Sequence, residues 1–173
     1  MTGNGMRIET RLREMGVELP LKEVGPSYYG TKYGKMNPYY EYGQLLLLSG
    51  QTAGIDAQGN ARFPGRVGRS ISVDDARQAA RQTGIHCVAA IKNAVADLDR
   101  VVGFARVLNF VACDPDFTEP HLVASAMTDF LVDVFGEEIA VAPRATIGVT
   151  SLADDYCFET WVTVEVAPAP GRP

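Results

Sequence analysis

Two charged residues of opposite sign lie near the C-terminus, inside apolar runs that otherwise indicate the interior of a sheet. Arg144 opens the run RATIGV, and Glu159 follows fifteen residues later in FETWVTVEV. A guanidinium group presents a planar fork that binds a carboxylate through two hydrogen bonds. A glutamate beside it can orient or deprotonate a water molecule as a general base. The pair is therefore a minimal set of groups for hydrolysing an activated C=N bond in a small carboxylic acid.

The alternative interpretation of the pair is structural: an arginine at a strand end and a solvated glutamate. Apolar runs predict strands at about 144–150 and 157–166. If these strands form a hairpin, Arg144 lies opposite a residue near 163 rather than Glu159. The spacing by itself does not bring the two side chains together within one chain.

The composition argues against several other classes of function. The net charge is −5, and no cluster of lysine and arginine provides the basic patch of a nucleic-acid-binding protein. Apolar runs such as residues 45–48 are far shorter than a membrane span, and the N-terminus lacks the apolar core of a signal peptide. Cys87, Cys113 and Cys157 form no CxxC motif, which predicts a reduced, cytoplasmic protein without a disulfide framework.

The histidines and the glycine-rich segments provide no metal or cofactor motif. His86 and His121 lie in separate predicted helices without the spacing of metal ligands, and the sequence defines no Ser–His–Asp order around them. GRVGRS at 65–70 matches no phosphate-binding loop. SGQTAG at 49–54 is either a turn that ends a strand or exposed backbone that lines a ligand cleft. We expect neither a metal nor a cofactor.

The first half of the chain supplies a short helix, a buried strand and a long helix. Helical spacing of apolar residues predicts a helix over 7–15, and a tyrosine-rich segment follows, which we interpret as an ordered arm. Residues 44–54 favour a buried strand. Ser72 and Asp75 form a capping box that opens a helix over about 73–96.

The second half repeats the order of strand and helix. A strand over about 101–112 precedes an amphipathic helix with Gly136 as its C-cap. The predicted apolar face of that helix consists of Leu122, Ala126, Phe130 and Val134. Two helices and at least four strands predict an α+β two-layer sandwich with both helices on one face of the sheet, and oligomerisation is the economical way to cover the other face.

This organisation divides the chain into three parts. They are an N-terminal helix and tyrosine-rich arm at 1–43, a single α+β domain at 44–166, and a Pro-rich tail at 167–173.

Four segments, taken in order, resemble the Rid family (reactive intermediate deaminases, also called the YjgF family). They are LLLLSGQTAG, PGRVGRSISVDDARQAARQTGIHCVAAIKNAVADLDRV, DPDFTEPHLVASAMTDFLVDVFG and PRATIGVTSLADDYCFE, and the likeness spans roughly residues 43–166. The N-terminal RLREMGVELP looks like one branch of the family. The resemblance implies a chorismate-mutase-like fold with a mixed sheet, assembled as a homotrimer whose sheets line a central barrel, with three clefts between subunits.

The resemblance also implies an activity. Deaminases of this family hydrolyse enamine or imine intermediates such as 2-aminoacrylate to keto acids and ammonia, without a metal or cofactor. Their carboxylate-binding arginine falls on Arg144, and their water-orienting glutamate falls on Glu159. The implied lining of the cleft comprises Ser49, Gly50, Thr146, Ile147 and Gly148.

Some positions depart from the family pattern. The family's cysteine two residues after the arginine is Thr146 here, and the asparagine early in the second helix is replaced near Ser125. The tyrosine of the family's GPYSQ segment aligns near Met36. Tyrosines close enough to take its place are Tyr33, Tyr39 and Tyr40. These changes predict a reshaped pocket and a larger or more aromatic ligand than 2-aminoacrylate.

Two alternatives stay open beside this deaminase. The first is a trimeric protein that binds small carboxylate metabolites without turnover, in which Arg144 still holds the carboxylate. The second is a deaminase dedicated to one pathway, such as the breakdown of an aromatic or heterocyclic compound.

Overall fold

The fold is described from a computed structural model, which covers residues 6–20 and 33–168. Parts of the predicted tyrosine-rich arm and Pro-rich tail lie outside these residues. In chain order the elements are α1 (Arg7–Glu14), β1 (Tyr39–Tyr42), β2 (Leu45–Leu48), β3 (Gln51–Thr52), α2 (Val73–Val95), β4 (Val101–Ala112), α3 (Pro120–Phe135), α4 (Glu137–Ala140), β5 (Arg144–Val149) and β6 (Phe158–Val166). None of the helices in this part of the chain combines the length and apolar content that crossing a membrane requires.

The ends of the two long helices agree with the sequence. The Ser72 hydroxyl accepts the Asp75 amide N–H at 3.1 Å and donates to the Asp75 carboxylate at 2.7 Å, so Ser72 caps α2 as predicted. Helix α3 ends at Gly136, whose φ of 85° is a conformation that other residues rarely adopt. Local capping chemistry therefore determines both boundaries.

The predicted apolar face of α3 is only partly correct. Leu122 is exposed, whereas Phe130 and Val134 are buried. Residues four apart advance by roughly 40° around a helix beyond a full turn, so a stripe extended at that spacing drifts off one face. The residues of α3 that are buried are Val123, Ala124, Met127, Phe130, Leu131, Val134 and Phe135.

The strands form one mixed sheet in the order β1–β2–β6–β4–β5, and β3 also pairs with β6. The pair β4–β5 is parallel because α3 carries the chain back to the end of the sheet at which β4 begins. The other strand pairs are antiparallel. The hairpin of 144–150 with 157–166 is therefore wrong, because β4 lies between β5 and β6. Arg144 pairs with Val107, which in turn pairs with Val162.

Side-chain alternation along β6 separates a core face from an open face of the sheet. Phe158 and Val162 are buried on the core face, against which α2 and α3 pack, and Trp161 is exposed on the open face. The strand register assigns the neighbouring strands to the same two faces. Large exposed apolar residues of the open face are Tyr40, Tyr42, Leu45, Leu47, Ile147 and Trp161.

Candidate active site

Arg144 begins β5, the edge strand of the sheet, and lies on its core side because it pairs with the buried Val107. Its Nη1 donates to Thr128 Oγ1 on α3 at 2.8 Å. In residues 6–20 and 33–168 no other hydrogen bond or salt bridge of this side chain is found. Since a guanidinium has several N–H donors, one contact holds the group while the rest of its fork stays open to an anionic ligand.

Thr128 was missed by the sequence reasoning, which pointed to Ser125 one turn earlier. The Ser125 hydroxyl donates to the carbonyl of His121 at 2.8 Å, so its hydrogen is committed to its own helix. The Thr128 hydroxyl also donates back along the helix, to the carbonyl of Ala124 at 3.4 Å, and this leaves its oxygen lone pairs facing Arg144. A threonine at helical spacing from Ser125 is the only sequence signal for this contact.

A buried polar network connects β5 to β6. Thr160 Oγ1 donates to Asn109 Oδ1 at 2.7 Å, and Asn109 Nδ2 contacts Thr146 Oγ1 at 3.5 Å. Asn109 and Thr160 are fully buried. The network ends at Thr146, two residues beyond Arg144 on the same face, and it begins at the residue that follows Glu159. The sequence signal for this network is Asn109, a polar residue within the apolar run VLNFVA.

Glu159 lies on the open face of β6. Its Oε1 accepts a hydrogen bond from Trp161 Nε1 at 2.8 Å. The Trp161 ring packs on Phe110, which pairs with Glu159, with ring centroids 5.1 Å apart and planes tilted by 58°. A Cβ at Gly50 would lie 2.3 Å from Glu159 Oε1, so the carboxylate occupies space that only glycine leaves free.

The predicted pair is thus divided between the two faces of the sheet. The arginine half-site consists of Arg144, Thr128 and Thr146, and the glutamate half-site consists of Glu159, Gly50, Phe110 and Trp161. Arg144 shares the core face with Val107, whereas Glu159 shares the open face with Phe110. One chain does not bring the two charged groups together.

The remaining predicted lining residues follow the same division. Ser49 donates its hydroxyl to the carbonyl of Asn37, and its own carbonyl accepts from Gln51 Nε2 at 3.0 Å, so its polar groups join the segment before β1 to the turn before β3. Ile147 is exposed on the open face, in register with Phe110. Gly148 permits close packing of Cys113, because a Cβ there would lie 2.9 Å from the cysteine sulfur.

The three tyrosines that were expected near the cleft have different environments. Tyr39 is half-buried on the core side of β1, opposite Leu48, and Tyr40 is exposed on the open face. The Tyr33 hydroxyl donates to the Asp154 carboxylate. Burial, followed by that hydrogen bond, raises the pKa of Tyr33, so its phenol stays protonated at neutral pH.

The cysteines provide no activated thiol. Burial raises the pKa of Cys157 to about 12 and also raises the pKa values of Cys87 and Cys113, so none is a thiolate nucleophile at neutral pH. In the part of the chain that the structure describes, no three His, Cys, Asp or Glu side chains come together as a metal site.

Comparison with known proteins finds relatives that cover most of the chain. No family model matches the chain. Protein TCP17 of Trypanosoma cruzi is 31% identical over 160 residues, which are 92% of this chain and 94% of TCP17. The crystal structure of Atu1372 from Agrobacterium tumefaciens superposes with a TM-score of 0.78 at 31% identity, covering 92% of both chains.

The fold is also that of solved Rid proteins. YyfA of Yersinia pestis, a member of the conserved Rid protein family, matches with a TM-score of 0.55 at 17% identity, over 86% of this chain and 98% of its own. The chain is therefore a relative of TCP17 and of Atu1372, and its fold is that of the Rid (YjgF-type) proteins.

Proposed function

We propose that the protein is a deaminase that hydrolyses a carboxylate-bearing enamine or imine to a keto acid and ammonia. The observation that carries the proposal is the state of Arg144: one donor is anchored on Thr128 and the rest of the fork is open at the sheet edge. An arginine prepared in this way fits a carboxylate ligand. Glu159, with one oxygen held by Trp161, supplies the general base that hydrolysis requires.

The reaction assigns a role to each half-site. Arg144 binds the substrate carboxylate and thereby fixes the position of the adjacent C=N carbon. Glu159 accepts a proton from water as the water oxygen bonds to that carbon, and the electron pair of the C=N bond moves to nitrogen, which takes up a proton. In the resulting carbinolamine the nitrogen takes the proton held by Glu159. The C–N bond then breaks as the hydroxyl oxygen forms the C=O bond and gives its proton to the carboxylate, which releases ammonia and the keto acid. The imine is electrophilic enough that this scheme requires no further group from the protein.

We further propose that a complete cleft contains the arginine half-site of one subunit and the glutamate half-site of a second copy, in a homotrimer. The separation of the half-sites on opposite faces of the sheet supports this arrangement. The exposed apolar residues on the open face support it as well, because patches of this kind mark protein–protein contacts. The proposed compartment is the cytoplasm, and the proposed ligand is a small carboxylate rather than a nucleic acid.

Ammonia release from enzymatically generated 2-aminoacrylate tests the proposal. The wild-type protein is expected to accelerate the reaction, and Arg144→Ala and Glu159→Gln are each expected to remove nearly all of the acceleration. Glu165→Gln is the matched control, because Glu165 lies on the same face of the same strand. If wild-type protein gives no acceleration, or if Arg144→Ala retains it, the assignment is wrong.

Mixing the two inactive variants tests the shared cleft. After co-expression in equal amounts, about a quarter of the clefts combine an intact Arg144 from one subunit with an intact Glu159 from its neighbour. About a quarter of the wild-type rate is therefore expected. If each cleft were built within one chain, mixing would restore nothing.

A trimeric binder without turnover is the second candidate. It is favoured by the fact that the contacts of Arg144 do not involve Glu159, so a carboxylate can bind at the arginine half-site alone. Such a binder keeps its affinity in Glu159→Gln and releases no ammonia.

A deaminase dedicated to aromatic or heterocyclic compounds is the third candidate. It is favoured by the Phe110–Trp161 ring pair beside Glu159. Relative rates with small and with aromatic enamine acids distinguish it from a general deaminase.

A further inference from the structure

Trp161 lies two residues after Glu159 on β6, so both side chains project from the open face. Its indole Nε1 donates to Glu159 Oε1 at 2.8 Å. We propose that Trp161 is a positioning residue that fixes the orientation of the Glu159 carboxylate for general-base catalysis. This role rests on the proposed deaminase function.

The indole is itself held in place. Its ring packs on Phe110 with centroids 5.1 Å apart, and Phe110 lies directly opposite Glu159 in the neighbouring strand. Rotation of the Trp161 side chain would break both the ring contact and the hydrogen bond. The donor is therefore fixed relative to the strand that carries the carboxylate.

The backbone of Gly50 confines the carboxylate on another side. A Cβ at this position would lie 2.3 Å from Glu159 Oε1 and 3.2 Å from Trp161 Nε1. Gly50 is not among the glycines with positive φ, so space rather than backbone conformation demands glycine here. The indole and the Gly50 backbone together restrict the carboxylate to one orientation.

This arrangement suits a general base. The indole N–H is a donor only, so it orients Oε1 without competing for the proton that the base accepts. With Oε1 engaged, Oε2 is the oxygen available to a water molecule. A base in a fixed orientation avoids the entropic cost of ordering it during the reaction.

The Trp161→Phe variant keeps an aromatic ring against Phe110 and removes the N–H group. We expect kcat to fall about tenfold, with KM changed less than twofold, because the role of Trp161 passes through the Glu159 carboxylate while Arg144 holds the substrate carboxylate. In a Glu159→Gln background, the same substitution should leave the residual rate unchanged, since its effect passes through Glu159. An unchanged kcat in the single variant, or an equal loss in both backgrounds, overturns the positioning role.

Tryptophan fluorescence tests the contact without any turnover. Trp161 is the single tryptophan of the chain, so the emission reports on this site alone. Glu159→Ala is expected to shift the emission maximum, and Glu165→Ala, on the same face of the same strand, is expected to leave it unchanged. An equal effect of the two variants overturns the contact.

The two measurements separate the failure of this inference from the failure of the proposed function. Absence of wild-type turnover overturns the deaminase and the positioning role together, while the emission still decides whether indole and carboxylate are in contact. Turnover that Trp161→Phe leaves intact overturns only the positioning role. Circular dichroism and an unchanged urea midpoint exclude misfolding as the cause of a loss.

Discussion

The two half-sites differ in almost every structural respect. Arg144 stands on an edge strand, projects to the core side of the sheet and is held by a hydroxyl of a helix. Glu159 stands on a central strand, projects to the open side and is held by an exposed indole and a glycine. Strands β5 and β6 are consecutive in the sequence but are not neighbours in the sheet. Residues that are close in sequence therefore belong to two separate surfaces. The symmetry of the proposed homotrimer can bring the two surfaces of different subunits together.

The half-sites also differ in what supports them. The arginine half-site is connected to the interior, because Thr146 contacts Asn109 and Asn109 is bonded to Thr160. The glutamate half-site rests on Phe110 and Trp161, which belong to the open face. Substitutions in the arginine half-site should affect folding as well as binding, whereas substitutions in the glutamate half-site should affect catalysis alone.

Loss of the guanidinium is expected to have the largest effect. Arg144→Ala should lower kcat/KM for 2-aminoacrylate hydrolysis roughly 10²- to 10³-fold, because a charge-assisted bidentate contact disappears. Arg144→Lys should recover only part of the loss, since an ammonium lacks the planar fork. Arg13→Ala, at an exposed arginine of α1, is the control of equal charge. Steady-state ammonia release measures all three, and full activity in Arg144→Lys would contradict bidentate binding.

A methyl group at Gly50 is expected to damage the glutamate half-site alone. Gly50→Ala places Cβ where the Glu159 carboxylate lies, so we expect kcat to fall about 10- to 100-fold with little change in KM. Gly103→Ala is the matched control, because the nearest atom to a Cβ there is Glu165 Oε2, at 3.9 Å. Equal kinetics in the two variants would show that Gly50 does not shape the site.

Removal of a buried donor tests the connection to the interior. Thr160→Val leaves Asn109 Oδ1 buried without its 2.7 Å partner, and this should lower the free energy of unfolding by about 1–3 kcal/mol. Thr163→Val, on the open side of the same strand, should change it much less. Urea denaturation at one fixed protein concentration compares the two variants. Similar midpoints would mean that the hydrogen bond between Thr160 and Asn109 contributes nothing to stability.

The smallest effect is expected at the contact that holds Arg144. Thr128→Val removes the acceptor of the guanidinium and should raise KM roughly 2- to 10-fold, with kcat nearly unchanged. Thr128→Ser keeps the oxygen and should restore KM. A fall in kcat at constant KM would instead place Thr128 in the chemical step.

Much of the secondary structure could be predicted, because it depends on residues close together in the chain. The strand at 101–112 and the capping of α2 by Ser72 are confirmed. The face of α3 was partly wrong, since i, i+4 spacing alone does not specify which side meets the core. The pairing of β5 was wrong for a different reason: strand neighbours are set by the path of the connecting helix, which short-range patterns do not encode.

For the candidate site, the sequence by itself determined which chemical groups are present and on which face of its strand Glu159 lies. Alternation in VTVEV, extended back along the strand, places Glu159 and Trp161 on the same side as Thr163 and Glu165, because the side-chain period of a strand is two. RATIGV has no such alternation, so the face of Arg144 was left open until the pairing with Val107 fixed it. Only the tertiary structure decided that β4 separates the pair, that Thr128 and Trp161 hold the two charges, and that Gly50 makes room for one of them. These are contacts between residues distant in sequence, and they depend on packing rather than on local pattern.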